Sequence, residues 1–246
     1  MQNTGVTRIY AHRGDHESVP ENTVAAFLAA VASGANGVEL DVRRTADGAL
    51  VVHHDHVIAG IGDIHLLHVA DLPSDVALLD EAMGAAGTLQ VNVEIKNDPD
   101  EPGHDPTGSL SHQVVALLAE RGDLERVLIS SFDLATLDAV RQCDPTVETG
   151  WLLGYLQDPV AAVEVSIAHG IGAIHPFVLS VTRDLVIRAH DVGLEVNTWT
   201  VNAREDLERM VEIGVDIVIT DAVALALEVI DGQGGSPNGG LAPSLA

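Results

Sequence analysis

From residue 8 to about residue 230, short β-branched runs alternate with stretches in which apolar residues recur at helical spacing. The period-two runs predict strands at Arg8–His12, Gly37–Val42 followed by Leu50–His54, Leu89–Lys96, Arg126–Ser131, Glu148–Leu153, Ala173–His175, Glu195–Thr200 and Ile217–Thr220. The stretches between them predict helices at Thr23–Ser33, Leu79–Ala86, Ser111–Arg121, Leu134–Gln142, Pro159–His169, Thr182–Asp191, Ala203–Ile213 and Val223–Ile230. Eight β units, each followed by a helix, make an α/β chain. Its natural closure is a TIM (β/α)8 barrel in a single domain over residues 1–231, with an open doubly wound sheet as the alternative. Punctuation agrees: Asn22 is placed to cap the first helix, Gly34 and Gly193 stand where helices stop, and Asn202 precedes an acid-rich helix. Residues 232–246, GQGGSPNGGLAPSLA, read as a disordered Gly/Pro/Ser-rich tail.

Composition narrows the partners. Of 246 residues, 46% are hydrophobic and 20% charged, enough for a sizeable core. The charges are lopsided, 37 Asp plus Glu against 12 Lys plus Arg, for a net charge of −25. Such a surface repels nucleic acid and anionic headgroups, and an anionic substrate then needs local positive charge in its site. Aromatic residues at 3% argue against stacking platforms for polymers. No run of about 18 apolar residues marks a membrane span or anchor. The N-terminus lacks the apolar core of a signal peptide, and Cys143 is the only cysteine, which favours a reducing, cytoplasmic setting with the thiol buried and structural.

Two strands carry the candidate chemistry. In GVELDVR, Gly37–Arg43, alternation turns Val38, Leu40 and Val42 one way and Glu39, Asp41 and Arg43 the other. VNVEIK, Val91–Lys96, repeats the scheme, with Asn92, Glu94 and Lys96 facing inward. One such pair reads as ordinary salt bridging. Two on adjacent strand ends, with no thiol ligand, favour a hard divalent cation, Mg²⁺ or Ca²⁺, held by Glu39, Asp41 and Glu94. Lys96 is the only lysine among twelve cations, a compact ammonium suited to a phosphate contact or to an ion pair with Glu94.

Among the front-loaded histidines, His12 and His54 follow strand ends beside the carboxylates and form a candidate acid/base couple, with His53 turned away. His16, His56, His65 and His68 read as loop residues, and His175 as a weaker substrate contact. Arg13 is placed either to fork onto phosphate or to pair with Glu21 or Asp15. Trp199 either walls the pocket or fills the core. The acidic, turn-rich loop 97–108 follows a strand end and is expected to serve as a rim or lid.

The ordered strings HRG (His12–Gly14), PENT (Pro20–Thr23), ELDV (Glu39–Val42), HHD (His53–Asp55), VEIK (Val93–Lys96), SSFD (Ser130–Asp133), WTVN (Trp199–Asn202) and ITD (Ile219–Asp221) resemble the glycerophosphodiester phosphodiesterases across nearly the whole chain. The resemblance implies a TIM barrel with Glu39, Asp41 and Glu94 on a divalent cation and His12 and His54 as the acid/base pair. It places Arg13 and Lys96 on the phosphate, with Asn22, Phe132 and Trp199 lining or supporting the pocket. It further implies hydrolysis of a glycerophosphodiester to sn-glycerol 3-phosphate and an alcohol, with the glycerol 2-hydroxyl as a candidate nucleophile and a cyclic phosphate opened by water. The stretch between His54 and Leu79 departs from the family: it lacks an Arg-Thr-Thr string and reads as a reduced insertion, part of whose role falls to loop 97–108. Three rivals are a phospholipase-like phosphodiesterase acting on lysophospholipids or phosphoinositides, a non-catalytic barrel binding phosphorylated ligands, and a metal-dependent lyase.

Overall fold

The computed structural model describes residues 6–234. In chain order its strands are β1 (Arg8–Ala11), β2 (Gly37–Arg44), β3 (Leu50–Val52), β4 (Val57–Ile58), β5 (Gly62–Asp63), β6 (Gln90–Ile95), β7 (Val127–Ser131), β8 (Glu148–Leu152), β9 (Ala173–His175), β10 (Glu195–Thr198) and β11 (Ile217–Thr220). The helices are α1 (Val24–Ser33), α2 (Leu79–Ala85), α3 (Ser109–Arg121), α4 (Leu134–Cys143), α5 (Pro159–His169), α6 (Arg183–Asp191), α7 (Arg204–Ile213) and α8 (Val223–Gly234). The main sheet runs β1-β11-β10-β9-β8-β7-β6-β2, and β1 pairs with β2 as well as β11. Every pairing in that ring is parallel, so the sheet closes into a TIM barrel rather than an open doubly wound sheet.

The strand predicted at Leu50–His54 shortens to β3 and lies antiparallel on the outer end of β2, with Val42 opposite Val52 and Arg44 opposite Leu50. It is not a stave of the barrel. It returns the chain so that the His53 N–H reaches the Asp41 carbonyl at 2.9 Å, which delivers His54 to the mouth.

Alternation does the sorting. Ile9, Val38, Leu40, Val93, Ile95 and Ile129 turn outward and are buried under Phe27, Leu79, Met83, Leu118 and Leu137 of the helices. Each such side chain is worth roughly 1.5–3 kcal/mol of burial. The interior is unusually polar: Asn92, Ser130, His175 and Asn197 lie buried beside a small cluster of Tyr10, Ile217 and Ile219. Gly37 makes room for Tyr10, because a Cβ there would come within 2.7 Å of the ring.

Three local expectations change. Thr23, not Asn22, caps α1, its hydroxyl accepting from the Ala26 N–H at 3.2 Å. Asn22 instead sits at φ 56, which turns its side chain back toward β2. Helix α8 continues to Gly234, so residues 232–234 are helical rather than tail, and the rest of the predicted tail lies outside the described residues. The stretch after His54, in which no elements were predicted, forms the β4–β5 hairpin and two short 3-10 turns, Ile64–Leu66 and Val69–Asp71.

Loop 97–108 is a stapled rim. The buried Asp105 accepts from Ser109 Oγ and the Leu110 N–H at 2.7 Å each and from the Thr107 N–H at 2.9 Å. Asn97 accepts from the Asp105 N–H at 2.7 Å and donates to the Asp105 carbonyl at 3.0 Å and to Thr136 Oγ1 at 2.9 Å. The loop also packs on the stretch after His54: a Cβ on Gly103 would sit 2.7 Å from His65.

Candidate active site

The parallel register sets Glu39 beside Asn92 and Asp41 beside Glu94 at the C-terminal ends of β2 and β6. Glu39, Asp41 and Glu94 are all buried, and one oxygen of each lies within 4.8 Å of the others. Their surroundings are unequal. Asp41 accepts from Asn22 Nδ2 at 2.7 Å and meets Lys96 Nζ at 3.0 Å and Arg13 Nε at 3.4 Å. Burial opposes its ionisation, but Lys96 first, then Arg13 and His54, together with the Asn22 hydrogen bond, bring its pKa down to about 2. Lys96 also pairs with Glu94, and its ammonium is held protonated by Glu94 and Asp41 despite burial.

Glu39 has less support. Its Oε2 accepts from the Arg13 N–H at 3.0 Å, whereas Oε1 is buried without a hydrogen-bond partner among the described residues. Burial, then the neighbouring charges of Asp41 and Glu94, push its carboxyl well above the usual range. An unpaired buried carboxylate oxygen facing two more carboxylates is costly alone and suits a hard divalent cation, which takes oxygen ligands.

Around this cradle opens a cleft of about 160 Å³. It is lined by eight of the ten residues singled out from the sequence: His12, Arg13, Glu39, His54, Glu94, Lys96, Phe132 and Trp199. Asp41 and Asn22 lie behind its surface, buried, where Asn22 orients Asp41. Arg13 takes a left-handed conformation, φ 56, and its guanidinium meets Glu21 at 2.7 Å, so one of the two carboxylate partners considered from sequence is engaged. Gly14 follows at φ 82, packed so that a Cβ would strike the Ala26 backbone at 2.7 Å. His54 stands in the loop after β3, its Nδ1 2.7 Å from Asp55 Oδ1. His53 is outside the cleft lining, with Nδ1 2.9 Å from the Asp55 carbonyl.

Trp199 lines the cleft and at the same time packs on the interior cluster of Tyr10, Ile217 and Ile219. It meets Phe132 edge-on at 5.6 Å and Phe177 at 5.7 Å, and its Nε1–H donates to the His175 carbonyl at 2.8 Å. His175 itself is sealed in the barrel interior, 1% exposed, with Nε2 3.0 Å from Asn197 Nδ2. It is not a substrate contact. Burial depresses its pKa to about 3.

Four residues were not singled out as site residues from the sequence. Asp221 Oδ1 lies 2.6 Å from His12 Nδ1, while Asn202 Nδ2 donates to its other oxygen at 2.6 Å. Burial is outweighed by the hydrogen bonds from His12, Asn202 and His16, which keep Asp221 ionised. His16, taken from sequence as a plain loop residue, reaches the same Asp221 oxygen through Nε2 at 3.1 Å. Arg43 forks onto the His54 carbonyl at 2.8 and 2.6 Å and pairs with Glu101 of loop 97–108 at 2.7 Å. The signal for Asp221 was present: closing the barrel makes the first and last strands neighbours, with Ala11 beside Thr220, so the residues after each stand side by side.

The model of the glycerophosphoryl diester phosphodiesterase family matches residues 12–225. The chain belongs to this family. The match starts at His12 and spans the three carboxylates, both cleft imidazoles, Lys96 and Asp221. Membership makes the protein an enzyme of the phosphoric diester hydrolase class. A glycerophosphodiester phosphodiesterase of Caldanaerobacter subterraneus is 33% identical over 230 residues, covering 87% of this chain and 94% of the relative. The crystal structure of a glycerophosphodiester phosphodiesterase from Thermotoga maritima superposes with a TM-score of 0.76 at 25% identity, over 91% of this chain and 98% of the other. A phosphodiesterase from Oleispira antarctica, solved in complex with its product sn-glycerol-3-phosphate, shares the fold at a TM-score of 0.77 and 22% identity, over 92% and 97% of the two chains. Among the described residues no helix is long and apolar enough to cross a membrane.

Proposed function

We propose that the enzyme hydrolyses small glycerophosphodiesters to sn-glycerol 3-phosphate and an alcohol in the cytoplasm, with Mg²⁺ or Ca²⁺ held by Glu39, Asp41 and Glu94. The observation that carries this reading is the buried, unpartnered Glu39 Oε1 facing two further carboxylates in a cleft shared with two imidazoles. A divalent cation bound there supplies charge neutralisation at the phosphate. Lys96 lies beside the same carboxylates and offers a second positive charge to a non-bridging oxygen, with Arg13 on the other oxygen of Asp41 and also lining the cleft.

The imidazoles divide the proton work. Ionised Asp221 can only accept, so it fixes the His12 proton on Nδ1 and leaves the Nε2 lone pair, 3.9 Å from Glu39, on the cleft side. Asp55 does the same for His54. One ring takes the proton of the attacking hydroxyl, either the glycerol 2-hydroxyl or water. The other, protonated, delivers a proton to the departing alkoxide. If the 2-hydroxyl attacks, water opens the resulting cyclic phosphate with the roles exchanged. A polyanionic nucleic acid is disfavoured by the net charge of −25.

One observation favours a second substrate class. The loops after β7, β8 and β9 present Phe132 (37% exposed), Tyr155 (69%), Leu156 (101%) and Leu179 (73%), and Tyr155 packs on Phe177 at 4.4 Å. This apolar rim fits the chain of a lysophospholipid. A substrate panel decides between the two. Under the primary reading, glycerophosphocholine is turned over faster than lysophosphatidylcholine, and His12→Ala or His54→Ala each loses roughly 10²–10⁴-fold in kcat with the fold intact. Faster turnover of the lysolipid selects the second reading, and near-normal activity in either variant removes the imidazole pair.

A further inference from the structure

His16 has no part in the chemistry above, yet the sequence HRGDH spaces it four residues from His12, and the left-handed turn at Arg13 and Gly14 folds it back toward that ring. An H-x₃-H spacing is one that zinc sites use. His12 Nδ1 and His16 Nε2 stand 2.6 and 3.1 Å from one oxygen of Asp221, and one donor atom of each residue lies within 4.8 Å of the others. Asn202 orients Asp221 from behind, at 2.6 Å to the second oxygen, as outer hydrogen bonds orient metal-ligating carboxylates. All three groups are partly exposed, with side chains 18%, 24% and 35% accessible, so an ion has an entry path and room for water as a fourth ligand.

We propose that His12, His16 and Asp221 form a second metal site, selective for Zn²⁺ and similar transition ions, whose occupation inhibits the enzyme. Two imidazoles and one carboxylate suit a borderline ion, whereas the all-carboxylate cradle of Glu39, Asp41 and Glu94 suits a hard one. The inhibition follows from proton bookkeeping. At rest the His12 proton sits on Nδ1 and the Nε2 lone pair faces the cleft. A metal ion at Nδ1 displaces the proton held there; that proton moves to Nε2 and the freed Nδ1 lone pair ligates the ion, so the ring gains and loses no proton overall and Nε2 stops being a base. Occupation also draws Asp221 away from its role of holding the His12 tautomer. The inhibitory consequence rests on the acid/base reading of His12, but the site itself does not.

The test therefore reads binding directly. Co²⁺ is titrated into the full-length protein, kept in excess Mg²⁺, and followed by its visible absorption, which is intense for a four-coordinate nitrogen and oxygen site and weak for six oxygens. The intense bands are expected in the wild type and in Glu39→Gln. They are expected to vanish in His16→Gln, which keeps an N–H for Asp221 but has no imidazole. Zn²⁺ is expected to displace Co²⁺ from the wild type and to bind His16→Gln at least 10-fold more weakly by calorimetry. With glycerophosphocholine as substrate, the Zn²⁺ concentration giving half inhibition should rise at least 10-fold in His16→Gln, each protein being referred to its own zinc-free rate. Absence of the intense bands in the wild type, or their persistence in His16→Gln, overturns the site. Zinc binding with no zinc inhibition overturns the inhibitory role, and a protein that binds cobalt as described but hydrolyses no diester separates failure of the proposed function from failure of the site.

Discussion

At the scale of single residues, the site depends on which atoms carry protons and which lone pairs are left over. Asp221 is the clearest case. It is a pure acceptor held ionised by its hydrogen bonds with His12, Asn202 and His16, and it sets the tautomer of His12. Asp221→Asn offers an amide that can donate to Nδ1, which moves the ring proton to Nε2. Such a change is expected to lower kcat at least 10²-fold while leaving the thermal midpoint within a few degrees; an unaltered kcat measured under saturating substrate would contradict the tautomer assignment. Arg43 acts one step further out, through the His54 carbonyl it forks onto. Arg43→Met is expected to cost more in kcat than in KM, because it frees the direction of the His54 ring without touching bound phosphate. A pure KM effect in steady-state kinetics would instead mark Arg43 as a substrate contact.

At the scale of elements, the parallel strands fix residue heights and the loops fix what reaches them. Period-two alternation on β2 and β6 was enough to read Glu39, Asp41 and Glu94 as facing one way, because paired positions on adjacent parallel strands turn to the same face of the sheet. The helices were legible from their 3.6-residue period, with Gly34 and Gly193 standing where α1 and α6 stop, although Thr23 and not Asn22 caps α1. What alternation could not show were contacts made by closure or by special backbone. His12 and Asp221 are 209 residues apart and meet only because β1 pairs with β11. Asn22 looked like a helix cap, but its positive φ sends it to Asp41. His16 looked like loop because its partner depends on the Arg13–Gly14 turn. Loop 97–108 read as a rim or a lid, because an acidic, turn-rich segment after a strand end suits either. The buried staple of Asp105 makes it a fixed rim. Hydrogen bonds to a charged group are worth about 1.5–3 kcal/mol each, though not additively. Asp105→Ala is therefore expected to destabilise by roughly 2–3 kcal/mol, lowering Tm by roughly 4–12 °C in calorimetry. A shift below one degree would show the staple to be decorative.

At the scale of the whole molecule, the polar barrel interior couples stability to pH. His175 is neutral in the fold because burial holds its pKa near 3, against an ordinary 6.5. The unfolded chain binds this proton below pH 6.5 and the folded chain does not, so stability falls as pH drops from 6.5 toward about 3. The slope from this one group approaches ~1.4 kcal/mol per pH unit well inside that window. Denaturant unfolding between pH 7 and pH 4.5 should show the loss in the wild type and a shallower dependence in His175→Asn. Identical slopes would mean that His175 titrates in the folded protein.

The same whole-molecule view bears on catalysis, since a chain of net charge −25 must bind an anionic diester in one small region of positive charge. Lys96 and Arg13 are already engaged by carboxylates there, so the cation is what tips the balance in favour of phosphate. The most direct measurement is release of sn-glycerol 3-phosphate from glycerophosphocholine before chelation, after exhaustive chelation, and after Mg²⁺ or Ca²⁺ is returned. The carboxylate cradle requires that release stop on chelation and recover with the added ion in the wild type, with no recovery in Glu39→Gln. Hydrolysis that continues undiminished in the chelated protein would contradict it.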